Sequence, residues 1–177
     1  MFTLLPYQQR ALDAVQTNRK GSVFVPTGGG KTVIMMEDAK QRIARASKPL
    51  TFLIVAPRIL LANQLCGEFE EYLDNKDIHY MHCHSGETHH FKSTNPELIK
   101  LFANTAKVGG EHCFIFTTYN SIHKVNDQRL TLMSFTLTKH ITASRKTTLW
   151  VLLRLVQTQI ILISLLLLLS IMVELNP

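Results

Sequence analysis

The chain has 177 residues, of which 46% are hydrophobic and 18% charged, with a formal net charge of +6 and a pI near 9.4. That length suits one ordinary domain with a real core and is short for an enzyme that works by moving two domains against each other. The charge does not by itself argue for a nucleic-acid partner, because residues 1–127 carry 14 basic and 12 acidic side chains, whereas the remainder carries 5 and 1.

Met1 to Pro6 leads straight into a polar helical stretch, so no N-terminal signal peptide is expected, and Pro6 to Asn18 reads as a helix. Ser22-Val23-Phe24-Val25 reads as a buried strand. From Thr32 the spacing of Val33, Met36, Ala39 and Ile43 predicts a helix with one apolar face. Between strand and helix lies Pro26-Thr27-Gly28-Gly29-Gly30-Lys31-Thr32. Bare backbone N–H groups at such a turn, next to a helix N-terminus, suit the oxygens of a triphosphate. Lys31 would reach the β- and γ-phosphates of ATP, and the Thr32 hydroxyl would hold Mg²⁺. The general pattern G-x-x-x-x-G-K-[ST] wants glycine where this chain has Val25, and the form A-x-x-G-x-G-K-T fits from Gly28 onward with the same departure.

Thr51 to Ala56 is a continuous apolar run between Pro49 and Pro57, the pattern of a buried parallel strand. Helical signals follow from Ile59 to about Leu73, then a short strand near Ile78 to Cys83. Pro96 to Lys107 predicts another helix closed by Gly109-Gly110, and His112 to Thr117 a further strand. Strands alternating with helices predict a doubly wound α/β sheet with its ligand at the carboxyl ends of the strands. Cys66, Cys83 and Cys113 are odd in number and widely spaced, which suits free thiols in a reducing cytoplasm. His79, His82, Cys83, His84, His89 and His90 crowd one stretch without the paired knuckles usual for zinc, so a strand and loop with exposed imidazoles is expected there.

The segment up to about Asn126 resembles the N-terminal RecA-like domain of a superfamily 2 helicase, of the type III restriction enzyme or DEAD/DEAH-like kind. The likeness rests on the phosphate loop, on Leu5-Pro6-Tyr7-Gln8-Gln9, on Val55-Ala56-Pro57-Arg58 with Leu60, Leu61 and Gln64, and on Thr117-Thr118-Tyr119-Asn120-Ser121. His84-Ser85-Gly86 is a weaker match to a short Gly loop. The resemblance implies that Gln8 reads the adenine edge, and that Pro57, Arg58, Thr117 and Thr118 contact the backbone of a single strand of DNA or RNA. It implies no specific protein partner.

An apolar strand ending in Asp-Glu-Ala-His should follow, its Asp holding Mg²⁺ through water and its Glu positioning the attacking water. Beyond Asp127 the one acidic residue is Glu174, and all 8 glycines lie earlier, so residues 128–177 differ in composition from residues 1–127. A frameshift accounts for this. One allowed set of codons for Met133 to Arg145, read one base earlier, spells Val-Ile-Tyr-Phe-Asp-Glu-Ala-His-Asn-Ser-Val-Lys, which is the missing strand and motif at the expected distance. Residues 1–127 are therefore expected to be a partial helicase ATP-binding domain, and residues 128–177 an aberrant tail, irregular or helical. Ile160 to Val173 is almost wholly apolar yet shorter than the roughly 20 residues a bilayer core requires, so membrane anchoring is not the expectation. The whole reads as a helicase or translocase fragment, cytoplasmic and inactive alone. The alternatives are a P-loop ATPase outside the helicases and a membrane-anchored interaction protein.

Overall fold

The computed structural model describes residues 3–18, 20–126, 132–140 and 148–156. In chain order the elements are α1 (Pro6–Thr17), β1 (Lys20–Pro26), α2 (Lys31–Arg45), β2 (Thr51–Ala56), α3 (Ile59–Leu73), β3 (Ile78–Cys83), β4 (Phe91–Lys92), α4 (Pro96–Gly109), β5 (His112–Thr118), α5 (Ile122–Asn126), β6 (Leu132–His140) and β7 (Thr148–Val156). Each expected helix and strand through Thr118 is present, and the short β4 is an addition.

The strands form one sheet in the order β1-β7-β6-β2-β5-β3-β4. β2 runs parallel to β5 with Val55 beside Thr117 and Ala56 beside Thr118, and β5 runs parallel to β3. β2 is buried on both faces, which is why it reads as an unbroken apolar run. Phe52, Ile54 and Ala56 pack with Phe114 and Phe116 under Ala62, Leu65, Cys66 and Phe69 of α3 and Met35, Met36 and Ala39 of α2. Leu53, Val55 and Ile115 face the other way, toward Ile99 of α4 and Val125 of α5. Aromatic stacking reinforces the first face, with the Phe52 and Phe114 rings 4.4 Å apart and nearly parallel.

The helix ends follow local chemistry. The Asn95 side chain caps α4 by accepting from the Glu97 amide at 3.0 Å, with Pro96 in the first turn. Gly110, at φ +80°, closes α4 in the left-handed region where a side chain would be strained.

One expectation is corrected here. The stretch beyond residue 127 is strand, not irregular or helical, over β6 and β7, and both strands lie within the main sheet. Leu132 to His140 carries the alternation and β-branched or aromatic residues of a strand, and Thr148 to Val156 is a short apolar run that a sheet can bury. The expected parallel sheet is present over β6, β2, β5, β3 and β4, and β7 joins it antiparallel to both β1 and β6. The apolar run 160–173 lies outside the described residues. Among the described residues no helix is long and apolar enough to cross a membrane.

Candidate functional site

β1 is antiparallel to β7, and β7 to β6, while β6 is parallel to β2; β1 therefore points the same way as β2 and β5. The loop after β1 and the turns after β2 and β5 thus open on one edge of the sheet. Two strands separate β1 from β2, placing the two turns about 14 Å apart at the usual strand spacing.

The loop is built on glycine geometry. Gly28 and Gly30 have φ of +79° and +73°, and Gly30 is the N-cap of α2. The Gly29 amide donates to Pro26 O at 3.0 Å, closing the turn. A Cβ on Gly29 would lie 2.6 Å from Val25 Cγ1 and 3.1 Å from Pro26 O, so Gly29 sits against the end of its own strand. Val25 is buried with Leu12 and Ile34 beneath the loop. Its side chain fills space there, which gives the departure from the sequence pattern a packing role.

Lys31 is buried, and its ammonium donates to Val25 O at 3.1 Å and to Pro26 O at 2.7 Å. Burial lowers its pKa from the usual lysine range. The cation is held by the loop's own carbonyls, within reach of the space the loop encloses. Thr32 follows in the first turn of α2, half-buried, while Pro26, Thr27 and Gly28 are exposed.

Gln8 lies beside this loop. It is buried, its Oε1 accepts from Leu5 N at 2.9 Å, and its Nε2 donates to Gly29 O at 3.2 Å. Tyr7, which sequence reasoning quoted only as part of a motif, donates its hydroxyl to the same Gly29 O at 3.1 Å. α1 is therefore latched to the phosphate loop by two side chains on one carbonyl. Pro6 at the first helical position fixes where both side chains emerge.

Pro57 and Arg58 follow β2, with Arg58 exposed as the N-cap of α3. Thr117 and Thr118 end β5 beside them. Both threonines are buried. The Thr117 hydroxyl donates to Cys83 O at 3.0 Å and so ties β5 to β3, while the Thr118 hydroxyl lies 3.5 Å from Ser121 Oγ in the following turn. The structure thus gathers Gln8 and the 26–32 loop into one cluster and Pro57, Arg58, Thr117 and Thr118 into a second.

The histidines are arranged otherwise than expected. His79 and His89 are exposed, but His82 and His84 are buried, because alternation along β3 turns His82 into the sheet face under α3. The ring nitrogens His82 Nδ1 and His84 Nε2 are 3.0 Å apart, and His84 Nε2 lies 3.1 Å from Asn63 Oδ1. Burial, followed by the charges of His84 and His90, pushes the His82 pKa down to about 4.

A strand, a Gly-rich loop gripping a lysine, and a helix, set at the carboxyl edge of a sheet with helices on both faces, define a RecA-like phosphate-loop domain. The family model for the type III restriction enzyme res subunit matches residues 1–138, and the chain belongs to that helicase-like family. The match ends inside β6. Among solved structures, the chain is similar to the type ISP restriction-modification enzyme LlaGI, a nuclease-deletion mutant in complex with a DNA substrate mimic, with a TM-score of 0.59 at 17% identity over 75% of this chain. It is also similar to the ATP-dependent type ISP restriction-modification enzyme LlaBIII bound to DNA, with a TM-score of 0.54 at 16% identity over 72% of this chain. The chain spans 15% of the length of the first and 9% of the second. A search of curated proteins finds no match.

Proposed function

We propose that this chain is the nucleotide-binding part of the first motor domain of an ATP-dependent DNA helicase or translocase of superfamily 2. The observation that carries this reading is the loop itself, in which a buried lysine follows two left-handed glycines and is held on the backbone carbonyls that precede them. On nucleotide binding, Lys31 exchanges Val25 O and Pro26 O for phosphate oxygens, and the amides of Gly28 to Lys31 receive the rest of the anion. Thr32 is the residue that would hold Mg²⁺, which neutralises charge developing on the phosphates. Gln8 and Tyr7 release Gly29 as the loop opens, which frees the Gln8 amide for the adenine edge. Arg58 and the turn after Thr118 supply the contacts to the strand, Arg58 pairing with a phosphate. DNA is favoured over RNA because both solved neighbours were bound to DNA or its mimic.

As it stands, the chain binds nucleotide weakly and does not turn it over. No acidic pair follows Asp127, and losing transition-state groups of that kind costs about three orders of magnitude or more in rate. We attribute the loss to a change of reading frame between about Val125 and Met133, which divides the domain, residues 1–127, from an out-of-frame tail, residues 128–177. The parallel pairing of Phe52 to Val55 with Met133 to Thr136 supports this, since the shifted reading puts Val-Ile-Tyr-Phe over Ser134 to Leu137, within the same strand. Nucleotide sequencing across that interval tests it, and an open frame with no Asp-Glu-Ala-His in the shifted register would refute it. With the frame restored, ATP turnover should rise when single-stranded DNA is added. Turnover indifferent to nucleic acid would instead indicate a P-loop ATPase of another kind.

A further inference from the structure

Cys66 on α3, His82 on β3 and His90 just before β4 offer one ligand atom each, all within 4.8 Å of one another. The sequence hides this set, because Cys66 lies sixteen residues before the nearest of the two histidines and reaches them only when α3 packs over β3. Cys66 and His82 are buried at 1% and 0% exposure. His82 Nε2 has no hydrogen-bond partner although it is fully enclosed, a costly state for a ring nitrogen. The other ring nitrogen is spoken for by His84. On the outer side His90 is half-buried and lines an open groove together with Glu70, whose Oε2 is 3.4 Å from His90 Nε2. Glu70 stands one helical turn beyond Cys66.

We infer that Cys66, His82 and His90 form a site for a borderline transition-metal ion of the zinc class, with Glu70 closing it from the groove. One thiolate, two imidazoles and a carboxylate are a donor set zinc accepts in tetrahedral geometry. Tetrahedral bonds of that length set ligand atoms about 3.5 Å apart, so the three side chains need close by only about 1 Å. The ion displaces the thiol proton of Cys66, which burial and the charge of Glu70 otherwise hold in place, raising the pKa to about 12. Asn63 Nδ2 donates to Glu87 O at 2.8 Å, so its Oδ1 faces His84 and the His84 proton sits on Nε2 in the free protein. The neutral His82 then carries its own proton on the unpartnered Nε2. Ligation through Nε2 moves that proton to Nδ1, where it donates to His84 Nε2, while the His84 proton passes to its own Nδ1 and Asn63 turns away. The metal is structural: it ties the helix that follows the Arg58 turn to the edge of the sheet.

The test is a Co²⁺ titration of the full chain after chelator treatment, without nucleotide, followed by absorption. The expected result is one equivalent bound, with a thiolate-to-cobalt charge-transfer band that Zn²⁺ bleaches. Cys66→Ser should abolish the band. His90→Gln, at a half-exposed position outside the core, should weaken Co²⁺ binding by at least about 10-fold, and His89→Gln should leave it unchanged. A wild-type chain without the band, a band that survives Cys66→Ser, or equal affinity in His90→Gln would overturn the assignment. The measurement is independent of ATP, so its failure leaves the nucleotide reading untouched.

Discussion

Replacing Lys31 by Ala separates the roles of this residue in folding and in binding. In the free protein its ammonium rests on Val25 O and Pro26 O at 3.1 and 2.7 Å, and Pro26 O also accepts from the Gly29 amide. Truncation relieves a buried cation whose pKa desolvation already lowers, and it takes from Pro26 O only one of two donors. The two effects oppose each other, so stability should change by no more than about 1 kcal/mol, or about 4 °C in Tm. Nucleotide affinity should respond differently. Lys31 trades two carbonyls for phosphate oxygens, leaving a net gain of about one charged hydrogen bond, about 1.5–3 kcal/mol. That corresponds to a loss of about 10- to 150-fold in affinity for Mg-ATP. A fluorescent ATP analogue titrated into wild type and variant, beside thermal melts of both, reads the two quantities. A Lys31→Ala protein that melts like wild type and binds the analogue within twofold would refute the phosphate-loop assignment.

Three further outcomes follow from the same geometry. Gly30→Ala places a side chain at φ +73° and against Gln8 Nε2, so it should cost about 1–3 kcal/mol in denaturant unfolding and release Gln8 from Gly29. In metal-free buffer, His82 is held neutral in the fold down to about pH 4, whereas the unfolded chain takes up the proton below 6.5. Stability is therefore full above pH 6.5 and falls by up to about 3 kcal/mol as the pH drops toward 4, and a His82→Gln protein should show a flatter melting profile over that window. Phe114→Ala removes a fully buried ring that stacks on Phe52 at 4.4 Å and meets Phe69 at 5.4 Å; urea unfolding should register a loss of about 3–5 kcal/mol.

Much of this protein is legible in its sequence, because local rules carry it. The apolar run 51–56, the Gly-Gly-Gly-Lys-Thr turn and the amphipathic spacing after Thr32 each depend on neighbours within a few residues, and the elements fall where those rules put them. The phosphate loop was visible for the same reason, since its backbone geometry comes from its own glycines. Contacts between distant segments were not visible. The latch of Tyr7 and Gln8 on Gly29 spans more than twenty residues. The burial of His82 and its meeting with Cys66 depend on which face of β3 lies under α3. The strands β6 and β7 lie between β1 and β2 in the sheet, a placement that no single segment encodes. Sequence alone determined the phosphate loop and the alternating frame, since periodicity and glycine conformation act locally. Tertiary packing decided what the loop is latched to and which thiol meets which imidazoles, because those pairings exist only once distant faces are pressed together.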